Sequence, residues 1–106
     1  MVREITAREL AARRATGTGP HVLDVRENWE VAVATIPDTR HIPMNEIPGR
    51  LGELDANAEI VVMCRSGGRS LQVAHFLDRQ GFRSVANLTG GILAWSREVD
   101  PSVSEY

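Results

Sequence analysis

The sequence predicts an α/β fold built on a mostly parallel sheet, and three observations carry that reading. Two β-branched runs, His21-Val22-Leu23-Asp24-Val25 and Ile60-Val61-Val62-Met63-Cys64, are too short for helices and read as buried strands. Apolar residues recur at helical spacing between the strand-like runs, most clearly at Leu71, Val73, Ala74, Phe76 and Leu77. The two patterns alternate along the chain, which implies right-handed crossovers and helices on both faces of the sheet.

Taken in order, Thr6-Ala7-Arg8-Glu9 matches a capping box and predicts a helix to about Ala15. Gly17, Gly19 and Pro20 end it, and the His21–Val25 strand follows with Asp24 and Arg26 near its far end. Asn28 to Ala34 read as a short helix, with Trp29 and Val33 four apart on one face and a stop before Pro37. Arg40-His41-Ile42 reads as a short strand. Ile47, Leu51 and Leu54 give helical spacing over Glu46–Leu54, although Pro48 and Gly49 blur its opening. After the Ile60–Met63 strand, a helix over Ser70–Gln80 ends at Gly81, a residue suited to a left-handed cap. Ser84-Val85-Ala86-Asn87-Leu88 reads as a last strand, Ile92–Glu98 as a last helix, and Pro101 as the start of a polar stretch.

The 106 residues, 42% of them hydrophobic, suit one domain over 1–106 with a polar C-terminal tail at about 99–106. A formal net charge of −2 supplies no bulk positive field, so neither nucleic acid nor an anionic membrane is an expected partner. No apolar run approaches a membrane span, and Met1–Arg14 contains no secretory apolar segment, so a cytoplasmic location is expected. The single cysteine excludes an internal disulfide, and His21, His41 and His75 lack zinc-ligand spacing. Neither a metal nor a cofactor is expected.

That cysteine, Cys64, stands where the central strand stops and a loop begins: Cys64-Arg65-Ser66-Gly67-Gly68-Arg69-Ser70. In open α/β sheets, ligands bind beyond the carboxyl ends of the strands. A cysteine attacks as its thiolate, and an ordinary thiol with pKa near 8.5 is mostly protonated at neutral pH. Three features here favour the anion: the charges of Arg65 and Arg69, the helix that follows, and a Gly67-Gly68 pair that lets successive backbone amides turn inward. Such a nest holds a thiolate, or a sulfur or oxyanion attached to it. Nucleophilic catalysis on an anionic sulfur or phosphorus compound is the indicated class. The C-x5-R pattern of cysteine phosphatases encloses a phosphate, whose three equatorial oxygens need donors. Here only four residues separate Cys64 from Arg69, and Ser70 stands where the phosphatase arginine would be. The smaller ring favours a single sulfur atom.

The Cys64–Ser70 loop resembles the active-site loop of the rhodanese family of sulfurtransferases. Val22-Leu23-Asp24-Val25-Arg26-Glu27 with Glu30 resembles that family's early D-x-R-E segment, and Gly90-Gly91 with Trp95 its late G-G-x-x-x-W element. Where family members commonly carry G-H-I-P-G-A, this chain has Ala34-Thr35-Ile36-Pro37-Asp38-Thr39. The resemblance implies a three-layer α/β/α domain on a mostly parallel five-stranded sheet. It also implies double displacement, in which Cys64 takes the outer sulfur of thiosulfate or a similar donor as a persulfide and yields it to cyanide, a thiol or a sulfur-carrier protein. Arg65, Ser66, Gly67, Gly68 and Arg69 would then bind the donor anion and the persulfide. The tail, Val99–Tyr106, resembles the ends of rhodanese domains fused to enzymes that activate sulfur-carrier proteins, a hint of a sulfur relay.

Other readings stay beside this one. Asp24 and Arg26 are expected to form a structural ion pair, with a positioning role open for them and for Ser70. Trp29 and Trp95 are expected in the core, and the histidines at the surface or satisfied within it. Glu27, Glu30, Glu46 and Glu53 read as solvated charges. The alternatives to an active sulfurtransferase are a non-enzymatic binding or sulfur-carrier module and a cysteine phosphatase or arsenate reductase.

Overall fold

A computed structural model describes residues 1–106. Five strands, β1 (Val2–Ile5), β2 (His21–Asp24), β3 (Thr39–His41), β4 (Glu59–Met63) and β5 (Ser84–Leu88), form one sheet in the order β1-β5-β4-β2-β3. Every pairing is parallel. The helices are α1 (Ala7–Ala15), α2 (Asn28–Val33), α3 (Gly68–Arg79) and α4 (Gly91–Glu98). Side chains alternate across the pleat, so each strand feeds two cores. Val22, Val61, Met63, Ala86 and Leu88 meet Leu10 of α1 with Ile92 and Trp95 of α4 on one face. Leu23, Ile60, Val62 and Val85 meet Val73, Ala74 and Leu77 of α3 on the other.

The strand order places β4 at the centre. The chain leaves β2 outward toward β3, returns to β4, and leaves β4 in the opposite direction toward β5. The crevice between the carboxyl ends of β2 and β4 is therefore a topological switch point, where open α/β sheets bind ligands. Cys64 and the Asp24–Arg26 pair both lie there.

The α1 capping box forms as its spacing predicts: Glu9 N–H donates to Thr6 Oγ1 at 3.1 Å, and Thr6 N–H to Glu9 Oε1 at 3.2 Å. Several other elements differ from expectation. The fifth strand, β1, has no alternating pattern to betray it; its edge position leaves Arg3 and Glu4 solvent-exposed and buries Ile5. The Glu46–Leu54 helix is replaced by two 3₁₀ turns, Met44–Glu46 and Pro48–Glu53, because Pro48 lacks an amide hydrogen and Arg50 sits at φ −124°. The last residues are not a free polar stretch. Val103 is buried in the core beside Trp95, and Ser96 Oγ donates to its carbonyl at 2.5 Å.

The Ala34–Thr39 segment keeps a tight bend without its glycine. Asp38 occupies the left-handed region at φ 59°, the one non-glycine residue to do so, and a short polar side chain tolerates that region better than most. Arg14 fastens the bend by donating to the carbonyls of Pro37 at 2.9 Å and Asp38 at 3.1 Å.

The Asp24–Arg26 ion pair is fully buried, with Arg26 Nη2 donating to Asp24 Oδ2 at 2.7 Å and Nε to Oδ1 at 2.9 Å. Arg26 Nη2 also reaches the Ala34 carbonyl at 2.8 Å, which anchors the segment after α2. Removing one member of a buried pair strands the other charge at a cost of about 3–5 kcal/mol. Asp24→Ala is accordingly expected to lower the urea midpoint by that equivalent, whereas loss of under about 1 kcal/mol would show that Arg26 finds other partners or solvent.

Candidate functional site

The site grows from the end of β4. Cys64 is 1% exposed, and its sulfur receives the Gly67 N–H at 3.1 Å while the Ser70 hydroxyl lies 3.2 Å away. Burial pushes the thiol pKa up. The hydrogen bond from the Ser70 hydroxyl and the backbone N–H groups of Ser70, Gly67 and Ser66 outweigh it, and the net shift is downward. Gly67 adopts φ 110°, a conformation open to glycine, and this bend turns its amide back onto the sulfur.

The loop's carbonyls have to point elsewhere, and α4 receives them. Ile92 N–H donates to the Cys64 carbonyl at 2.9 Å and Leu93 N–H to that of Arg65 at 3.2 Å. The free amides at the start of a helix are suited to this. The approach is close enough that a Cβ on Gly91 would sit 2.4 Å from the Arg65 oxygen and 2.5 Å from that of Cys64. Gly91 is thus a packing requirement of the cradle.

The two arginines of the loop are already engaged. Arg69 forms a two-pronged ion pair with Glu30, Nη1 to Oε1 at 2.6 Å and Nη2 to Oε2 at 2.8 Å. Glu30, expected as a solvated charge, is 2% exposed and also accepts from the Glu27 N–H at 3.0 Å and the Tyr106 hydroxyl at 2.8 Å. Arg65 donates through Nε to the Tyr106 backbone oxygen at 2.6 Å and lies over its ring at 5.3 Å. Arg26 Nη1 donates to the Tyr106 hydroxyl at 2.9 Å, so the β2 ion pair touches the same network.

Of the candidate residues, the structure brings Cys64, Ser66, Gly67 and Ser70 together at the sulfur. Gly68 opens α3, Arg69 pairs with Glu30 and Arg65 with Tyr106, and the Asp24–Arg26 pair joins them through the Tyr106 hydroxyl. Trp29 is not a core residue: α2 turns Glu30 inward, leaving Trp29 62% exposed with its ring edge-on to Tyr106 at 5.9 Å. Trp95 is buried as expected, and His41 is satisfied, its Nε2 donating to the Arg26 carbonyl at 2.7 Å. Glu30 and Tyr106 are the site residues that reading the sequence missed. Glu27 and Glu30, three apart at the start of α2, carried a capping signal, and Glu30 and the Val99–Tyr106 tail entered otherwise only through the family resemblance, with no role at the site.

Glu30 makes the network pH-sensitive. Arg69 is the chief cause of its lowered pKa, burial opposes it, and the Glu27 amide and Tyr106 hydroxyl add to it, for a net fall to about 2 from 4.5. A carboxylate with a depressed folded pKa contributes stability that is complete above its unfolded pKa and is lost as pH falls through the folded one. Urea titrations should therefore show a loss between about pH 4.5 and pH 2, of order 3 kcal/mol at most, that is absent from Glu30→Gln. Identical acid limbs in both proteins would place the charge elsewhere.

Known proteins resemble this chain in sequence and fold. Residues 6–98 match the rhodanese-like domain family. A sulfurtransferase of Allochromatium vinosum is 40% identical over 104 residues, covering 98% of this chain and 97% of that protein. The adenylyltransferase and sulfurtransferase MOCS3-1 of Zea mays is 32% identical over 109 residues, 96% of this chain and 23% of the longer protein. The crystal structure of a rhodanese-like domain protein from Staphylococcus aureus superposes with a TM-score of 0.86 at 30% identity, covering 99% of each chain. The cysteine loop, the parallel five-stranded sheet and these relatives agree: the chain belongs to the rhodanese-like family, among proteins named as sulfurtransferases.

Proposed function

We propose that this protein is a sulfurtransferase whose Cys64 carries one sulfur atom as a persulfide between a small anionic donor and a thiophilic acceptor. The observation that carries the reading is the Cys64 sulfur inside a ring of donors: Gly67 N–H at 3.1 Å, the neighbouring amides and the Ser70 hydroxyl, with a lowered thiol pKa. In the first half-reaction the Cys64 thiolate attacks the outer sulfur of thiosulfate. The sulfur–sulfur bond of the donor breaks, its electron pair leaves on sulfite, and a new sulfur–sulfur bond forms at Cys64. The terminal sulfur keeps one negative charge, which the loop amides face. In the second, cyanide, a thiolate or a sulfur-carrier protein attacks that terminal sulfur and regenerates the Cys64 thiolate. No external oxidant or reductant enters, and covalent transfer of this kind gives ping-pong kinetics.

Arg69 and Arg65 supply positive charge at the mouth, but each is committed on one side, to Glu30 and to Tyr106. A donor anion therefore meets the guanidinium edges left over. Arg69 is the stronger candidate because Glu30 fixes its orientation through two bonds. With no second cysteine in the chain, discharge of the persulfide falls to an outside acceptor.

Incubating fresh, reduced protein with thiosulfate and measuring intact mass is expected to add one sulfur atom, labile to cyanide, and Cys64→Ser is expected to gain none. An unchanged mass in the unsubstituted protein would overturn the reading.

A further inference from the structure

Behind Cys64 the Ser70 hydroxyl continues into a polar chain that reaches the β1 edge of the sheet. Ser70, fully buried, places Oγ 3.2 Å from Cys64 Sγ and 2.5 Å from Asn87 Oδ1. Asn87 lies on β5 and is 4% exposed; by strand register its neighbour on β1 is Glu4. Asn87 Nδ2 faces the two Glu4 carboxylate oxygens at 3.3 and 3.2 Å and the Gly67 carbonyl at 3.2 Å. Glu4 is held in turn by the Thr89 hydroxyl, which donates to Oε1 at 2.7 Å.

Chemistry fixes the protons in this chain. An ionised carboxylate and a carbonyl only accept, so the Asn87 NH₂ must face them and its Oδ1 must face Ser70. An amide oxygen owns no proton, so the 2.5 Å contact contains the single proton of the Ser70 hydroxyl. The same hydroxyl is also the donor toward Cys64 Sγ at 3.2 Å, so two acceptors share one proton.

We propose that Asn87, oriented by Glu4, is a positioning residue that competes with Cys64 for the Ser70 proton. When Cys64 ionises, the hydroxyl can serve the sulfur only by leaving two oxygens face to face without a hydrogen between them. The backbone amides thus stabilise the thiolate while Asn87 limits the hydroxyl's share. Such a limit has a use, because the nucleophilicity of a thiolate falls as its pKa falls, and the best attacking thiol titrates near ambient pH. The inference rests on Cys64 being the attacking group. The other charged or titratable groups around the loop are Arg65, Arg69 with Glu30, Tyr106, and the Asp24–Arg26 pair, and none bonds to Ser70 or Asn87.

The test is the pH profile of Cys64 alkylation by iodoacetamide in the reduced full chain. It needs no sulfur donor, so its failure is distinguishable from failure to form the persulfide. Asn87→Leu removes the competing acceptor at similar volume and is expected to lower the alkylation midpoint by about half to one pH unit. Asn87→Asp keeps an acceptor-only oxygen against Ser70 and is expected to raise it. In a Ser70→Ala background the fall caused by Asn87→Leu should vanish and the rise caused by Asn87→Asp should shrink. The proposal is overturned if both Asn87 variants shift the midpoint in one direction, if Asn87→Leu leaves it unmoved, or if either shift is unchanged without the Ser70 hydroxyl. Should Asn87→Leu fail to fold, the Asn87→Asp pair with and without Ser70 decides alone.

Discussion

The capture of the cysteine loop's carbonyls by the first amides of α4 is the interaction on which this site depends. A peptide unit points its N–H and its C=O in opposite directions, so a loop can aim its amides at a sulfur only if something takes its carbonyls. Ile92 and Leu93 do so at 2.9 and 3.2 Å, and Gly91 removes the side chain that would hold the helix away. With its carbonyls held there, the loop turns the Gly67 amide to the sulfur, one of the bonds that lower the thiol pKa. The late glycine pair is remote in sequence from the cysteine yet belongs to the same cradle.

A second dependence runs through Glu30. One carboxylate joins α2, α3 and the last residues of the chain by accepting from Glu27, Arg69 and Tyr106. Its oxygens are matched by charged or polar donors, which is how a burial that would be costly for a lone charge becomes tolerable. The Arg69 guanidinium consequently has its position set by two bonds to one carboxylate. Tyr106 ties this group to the Asp24–Arg26 pair, so the carboxyl end of β2 and the rim of the β4 loop share one polar network.

Much of this was legible in the sequence. Alternating strand and helix patterns located four strands and the helices flanking them, because buried β-branched runs and amphipathic spacing are local signals. The cysteine loop was legible for the same reason: residue type, count and the following helix sit within seven consecutive positions. What escaped was contact across distance. The β1 strand is an edge whose exposed Arg3 and Glu4 carry no alternation, and the fifth strand entered only through family resemblance. Glu30 looked like a surface charge because its partners lie 39 and 76 positions away. Trp29 misled in the opposite sense, since helical spacing with Val33 does not say which face of so short a helix turns inward. Pro48 and Gly49 overrode the spacing of Ile47, Leu51 and Leu54.

The pairing of β1 with β5 has a consequence for the order in which the molecule is completed. The two strands come from opposite ends of the chain, and the Glu4–Asn87 contact spans 83 positions. Parallel pairings of such separation close late, because the loop entropy must be met before the contacts form. Asn87 and Gly91 follow Cys64 in the chain, so the residues that bond to Ser70 and pack on the cysteine loop come later than the cysteine itself. Until β5 and α4 dock, the contacts of Ser70 with Asn87 and of the loop carbonyls with Ile92 and Leu93 are not assembled. The fold thus makes the surroundings of one sulfur depend on strands that lie more than eighty positions apart.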